Sequence, residues 1–258
     1  MRHILASVFL IVLLFPALAL SGEVKLEDLV KTDGLYFKKF TNIPFTGKVT
    51  GREQGKLKDG KRVGVWIVYD SNGRVSKEVT YENGKKVTWV QYKYHSNGQL
   101  RTKETYKDGK FDGPWVRYYD NGQLELKGTF KDVKFDGPWV GYYANGQLGF
   151  KGTYKDGNLD GPWIKYYENG QLRTKETYKD GKFDGPWVDY HENGQLLTKG
   201  TYKDGKKEGS WVGHGENGQL LSEGTYKNEK KEGFWVWYHN DGQLRKIETY
   251  KNGVKISD

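Results

Sequence analysis

The chain has 258 residues and carries 42 Lys and Arg against 33 Asp and Glu, a net charge of +9. It has no cysteine, which excludes disulfides and thiolate metal sites. Only 35% of residues are hydrophobic while Trp, Tyr and Phe make up 15%, which fits an elongated sheet covered by aromatic rings better than a globule with an aliphatic core.

Residues 1–21 read as a secretory signal peptide. Arg2 and His3 precede an apolar run from Ile4 to Leu20, too short for a bilayer span, which ends in the small-residue exit Ala17-Leu18-Ala19. Cleavage is expected after Ala19 or Ser21, and with no cysteine at the exit a lipoprotein anchor is excluded. The expected location is therefore periplasmic or secreted.

Residues 22–58 form an N-terminal capping region with a degenerate first repeat. Leu26 to Val30 suits a short helical or capping turn, while Tyr36 to Phe40 and Pro44 to Gly47 look like strand and turn pieces. An atypical terminal unit is expected in an array whose first hairpin has an edge to cover.

Residues 59–258 are a repeat array. Asn-Gly recurs at Asn97-Gly98, Asn121-Gly122, Asn145-Gly146 and onward to Asn217-Gly218, each 24 residues from the last, then as Asp241-Gly242. An earlier copy stands at Asn72-Gly73, and Trp89 is out of phase beside it. A fixed period of this size signals a repeat architecture in which each unit contacts its neighbours. An aromatic follows Thr in all eight copies, from Tyr81 to Tyr250, and Trp recurs from Trp66 to Trp235.

One unit, Gly113 to Asp136, shows the logic. Trp115 to Tyr119 is aromatic and β-branched and suits a strand; Asn121-Gly122 suits a type I′ turn, which needs positive φ at both central residues; Leu124 to Phe130 is the return strand. Pro114, Pro138, Pro162 and Pro186 precede a Trp and mark strand starts, since proline cannot donate to the ladder. The fold class is thus all-β, an elongated antiparallel sheet of about eight tandem hairpins. A two-residue turn places Trp115 opposite Gly128, where the missing side chain leaves room for the indole. The pleat puts Trp115, Tyr119, Leu124 and Phe130 on one face and Val116, Tyr118, Lys127 and Thr129 on the other.

The most variable column holds Arg117, Gly141, Lys165, Asp189, Gly213 and Trp237. Of these, Arg117, Lys165, Asp189 and Trp237 are the candidate ligand-contact surface. No catalytic, cofactor-binding or metal-ligating set stands out. The Asp-Gly pairs are accounted for by turn chemistry, and His191, His214 and His239 lack an accompanying carboxylate pair or nucleophile. Lys-rich turns such as Lys206-Lys207 read as solvated, and the mixed charges imply no specific nucleic-acid partner.

The Y-x-x-G-x-x-x-G-x-W-x-x-Y-x-x-N-G pattern, as in Tyr106 to Gly122, resembles the bacterial MORN-repeat variant, a group that includes YwqK-type proteins labelled toxin–antitoxin system antitoxin. The resemblance covers roughly Gly47 to Gly253 and implies an antiparallel sheet of hairpins, with membrane-lipid contact and protein scaffolding as family associations. A fainter similarity is to choline-binding cell-wall repeats. The expected function is an exported, non-enzymatic scaffold that binds a protein or an envelope polymer. The alternatives are an antitoxin-like protein that neutralises a toxin, or a cell-wall carbohydrate or choline module.

Overall fold

The computed structural model describes residues 22–257, so the expected signal peptide lies outside the described residues. The repeat array forms a single sheet in which each strand pairs with the next in the chain. Strands Leu100–Lys107, Lys110–Tyr118, Leu124–Lys131 and Lys134–Tyr142 show the pattern, all antiparallel. The sheet counts 22 strands, and two rows in it are split where Asp160 and Asp184 interrupt them. Glu23–Lys25 lies parallel beside Gly47–Thr50, a 3-10 turn spans Leu26–Asp28, and a small hairpin of Leu29–Thr32 and Leu35–Lys38 follows.

The two hairpin ends of each unit differ, and the turn types are the reverse of those the sequence suggests. The type I′ turns are the Asp-Gly ones, with φ of 47° at Asp108 and 84° at Gly109. The Asn-Gly turns are three-residue loops instead. The Gly122 N–H donates to the Tyr119 carbonyl at 3.0 Å, Tyr119 N–H donates to Gln123 at 2.8 Å, and only Gly122 has positive φ. Asn121 is used through its side chain: Oδ1 accepts the Gln123 N–H, and Nδ2 donates to the Ala144 carbonyl in the next turn. The same reach of 23 residues recurs from Asn97 to Asp120 and from Asn145 to Glu168. Each turn is thereby tied to its successor.

The loop adds one residue and a bulge at Glu125 offsets it, so Trp115 still pairs with Gly128. The bulge also changes which residues share a face. Leu124 pairs with Tyr118 and lies on the back face, not beside Trp115.

The front face is a layer of rings. Tyr106, Phe111, Phe130, Phe135 and Tyr154 sit on successive strands with centroids 4.5 to 5.2 Å apart, close to the strand spacing itself. Trp139 stands edge-on to this row, 4.6 Å from Phe135. The indole over each glycine comes from the following strand, not from the residue paired with it. Built on Gly128, a Cβ would lie 2.1 Å from Trp139. At that point Gly128 faces a wide bulge at Gly137-Pro138-Trp139, which brings the indole back over it. Trp66, Trp163, Trp211 and Trp235 pack over Gly55, Gly152, Gly200 and Gly224 in the same way, and all are buried. At the N-terminal end Leu29, Phe45, Val49, Leu57, Trp66 and Val79 form an aliphatic and aromatic cluster.

Two units depart from the turn rule, with Val133 and Glu229 in the glycine position of the type I′ turn at φ of 70° and 68°. At Val133 a β-branched side chain is crowded. Val133→Gly is expected to stabilise the protein by about 1 kcal/mol, read as a higher urea midpoint. An unchanged or lower midpoint would show that the Val133 side chain makes compensating contacts.

Candidate binding notch on the front face

Strand register places the variable column in one row across the front face. Arg117 pairs with Leu126, Leu126 with Gly141, Gly141 with Phe150 and Phe150 with Lys165; the row continues through Thr174 to Asp189. Two positions are empty in the same unit, Gly141 in the row itself and Gly149 beside it. Their missing side chains open a notch of about 330 Å³. Phe150 occupies the space over Gly141, where a Cβ would approach its ring to 2.2 Å, and stacks on Trp163 at 5.1 Å and 20°. Tyr119 and Tyr143 form the walls, held by hydrogen bonds from their hydroxyls to the Tyr142 and Tyr166 carbonyls, both 2.8 Å. Burial, with Glu125 nearby, raises the Tyr119 phenol above its usual range, so it stays protonated.

The rim is cationic. Arg117, Lys165 and Arg173 all line the notch. Arg117 Nη2 is paired with Glu125, but its buried Nε finds no acceptor. Lys165 Nζ is 2.9 Å from Glu176. Arg173 lies over the Tyr167 ring at 5.6 Å and makes no ion pair among the described residues. A concave aromatic floor with fixed walls and charged groups at its rim is the usual anatomy of a ligand site.

Two of the four expected contact residues, Arg117 and Lys165, therefore meet at one notch. Asp189 lies further along the row; burial raises its carboxyl, against the Tyr190 N–H that it accepts at 3.0 Å. Trp237 is at the far end, with Lys246 and Lys231 at 4.4 and 4.8 Å from its ring. The sequence reading placed Gly141 in the variable column and Trp163 in the recurring tryptophan column, but did not single out Phe150, Arg173 or Gly149. The signal was the coincidence of Gly141 and Gly149 in one unit when the copies are aligned.

A second feature underlies the row. In three units a glutamate replaces the glycine of that column, at Glu104, Glu176 and Glu248, each 72 residues from the last. All three are buried. Glu176 accepts from Lys165 at 2.9 Å, Thr174 at 3.1 Å and Tyr178 at 2.7 Å, and Glu104 has the same trio in Lys93, Thr102 and Tyr106. The tryptophans that follow, Trp115 and Trp187, are only half-buried, unlike those over glycine. Burial opposes ionisation of Glu104, but hydrogen bonds from Lys93, Tyr106 and Thr102 outweigh it and hold its pKa below the ordinary 4.5. Glu248 is pulled down to about 2, chiefly by its hydrogen bonds from Lys255 and Lys246. Both carboxyls ionise more readily folded than unfolded. Their contribution to stability is thus complete above about pH 4.5 and lost as pH falls toward about 2. The melting temperature is expected to fall over that window, and less steeply in Glu104→Gln. Equal slopes would remove Glu104 from the cause.

Among the described residues no cluster of His, Asp or Glu could hold a metal ion, and the His191 ring is engaged with the His214 carbonyl at 3.1 Å.

No curated protein matches the chain. Among solved structures, a chain in the crystal structure of TcdB2-TccC3-Cdc42 aligns with 84% of this chain at 11% identity and a TM-score of 0.19, and the chain spans only 16% of that protein's length. Residues 69–110 match the RHS Repeat model. The model described as MORN repeat variant matches residues 111–132, 135–156, 159–180, 183–204, 207–228 and 231–252. With six consecutive units covering 132 of its 258 residues, the chain belongs to the MORN repeat variant family.

Proposed function

We propose that the chain is an exported, non-enzymatic scaffold that binds a polymer or protein of the cell envelope, with the notch between Arg117 and Lys165 as its contact. The observation that carries this reading is the notch itself: a fixed aromatic floor, opened in the unit where both columns hold glycine, at Gly141 and Gly149. The basic and apolar start of the sequence supports export.

Gly149→Arg tests the contact. Arginine already occupies the equivalent column at Arg101, Arg173 and Arg245, and a Cβ at Gly149 would meet only ordinary or slightly tight neighbours, at 3.3 Å and beyond. The variant is expected to keep its stability within about 0.5 kcal/mol while losing co-sedimentation with insoluble envelope material. Co-sedimentation equal to the parent protein would discard the notch as the contact. Export is tested by the intact mass of the native protein: a form starting at Leu20 or Gly22 outside the cytosol supports it. A full-length cytosolic protein would favour the antitoxin role of YwqK-type relatives instead.

A further inference from the structure

The rim chemistry decides what kind of ring the notch takes. A quaternary ammonium group, as in choline, is held by aromatic faces with no competing cation nearby. Here three cationic side chains surround the floor, and the two carboxylates that accompany them are already committed. Glu125 is bound to Arg117, and Glu176 is buried beneath Lys165 with three donors. Among the described residues Arg173 has no carboxylate in salt-bridge contact, only the more distant charge of Asp189, and Arg117 has a buried Nε with no acceptor. An acidic chain spanning the notch would gain charge-assisted hydrogen bonds at either end that the protein does not supply to itself.

The floor sets the rest of the ligand. Phe150 lies flat on Trp163 and the Tyr119 and Tyr143 hydroxyls are held by carbonyls, so the rings offer faces and edges, not free donors. Such a surface suits the apolar face of a sugar ring. A cavity of about 330 Å³ is at the small end of ligand sites, of order 300 to 1,000 Å³, and admits one or two rings, not a lipid with its tails. Arg117 and Lys165 are four strands apart in the row, so cations stand at both ends of the notch and a chain crossing the strands passes between them.

We propose that the notch binds an acidic sugar residue within a polysaccharide chain, a uronic acid seated on Phe150 with its carboxylate toward Arg173, while Arg117 stands at the other end of the notch. This rests on the binding role proposed above and names its ligand class.

The test is a titration of the full chain with trigalacturonic acid, its methyl ester and choline, followed by tryptophan fluorescence and calorimetry. The acid is expected to bind at least about tenfold more tightly than the ester, in a salt-dependent manner, and choline not at all. Arg173→Gln is expected to remove most of that preference, weakening the acid by far more than the ester. Equal affinity for acid and ester, or binding of choline, overturns the acidic-sugar assignment and leaves the notch as a neutral or cationic site. If neither sugar binds while Gly149→Arg still loses the envelope material, the sugar assignment falls and the contact stands with another ligand. Binding of the acid that is indifferent to both Arg173→Gln and Gly149→Arg places the polysaccharide elsewhere on this basic chain and overturns the proposal.

Discussion

Gly152→Ala is expected to destabilise the protein by about 3 kcal/mol, the largest effect of any single methyl group added to this sheet. The new Cβ would lie 1.9 Å from Trp163 Cε3, far inside contact distance. Trp163 cannot be relieved by a small rotation, because Phe150 stacks on one side of it and Tyr154 stands against it at 5.4 Å. The indole must lift, and two ring contacts and the floor of the notch go with it. The effect belongs to the pair, so it should vanish when the indole is absent. In a Trp163→Ala background the added cost of Gly152→Ala is expected to fall below about 0.5 kcal/mol. Chemical denaturation of the four proteins in this cycle reads it, and an undiminished cost in that background would place the clash on the backbone instead.

Glu176→Gln is expected to cost about 2 kcal/mol, and the comparison with Glu176→Gly is the informative part. Glutamine keeps the shape but sets an amide where the Lys165 ammonium, the Thr174 hydroxyl and the Tyr178 hydroxyl all donate. The site is buried, so the lost acceptor is not replaced by water. Glycine, the larger deletion, should be the milder change. It recreates the arrangement of Gly128, Gly152, Gly200 and Gly224, and it lets Trp187 settle onto the sheet as Trp139 and Trp163 do. Lys165 retains access to solvent and can leave for water. A blue-shifted emission from Trp187 in Glu176→Gly is expected together with a smaller loss of stability than in Glu176→Gln. The reverse order would mean that the carboxylate network, and not indole seating, sets the stability of these units.

Much of the fold was legible because each column is written many times. The 24-residue period, the hairpin unit and the pairing of Trp115 with Gly128 all follow from recurrence plus the alternation of a strand. The turns were misread because Asn-Gly and Asp-Gly both satisfy the demand for positive φ, and the extra loop residue is offset by the bulge at Glu125, which leaves the central register unchanged. The face of Leu124 was misread for the same reason, since a bulge reverses parity without altering composition. The notch was half legible. Arg117 and Lys165 stand out as variable, but Gly141 and Gly149 read as incidental until strand pairing puts them side by side. Glu176 reads as one more surface charge in a charged sequence. Only its 72-residue spacing from Glu104 and Glu248 marks it as part of a pattern.

The tie from each turn to its successor has a mechanical meaning. Asn121 reaches the next turn, as Asn145 and Asn169 reach theirs, and the backbone ladder between neighbouring strands runs in the same direction across the array. Tension applied between the two ends of the array therefore loads these bonds one row after another instead of all together. The sheet should yield as a zip, at low force, releasing one unit of 24 residues at a time and lengthening by about 80 Å per step. Between such steps the remaining rows keep their rings stacked, so a stretched molecule shortens by re-laying one hairpin on an intact neighbour.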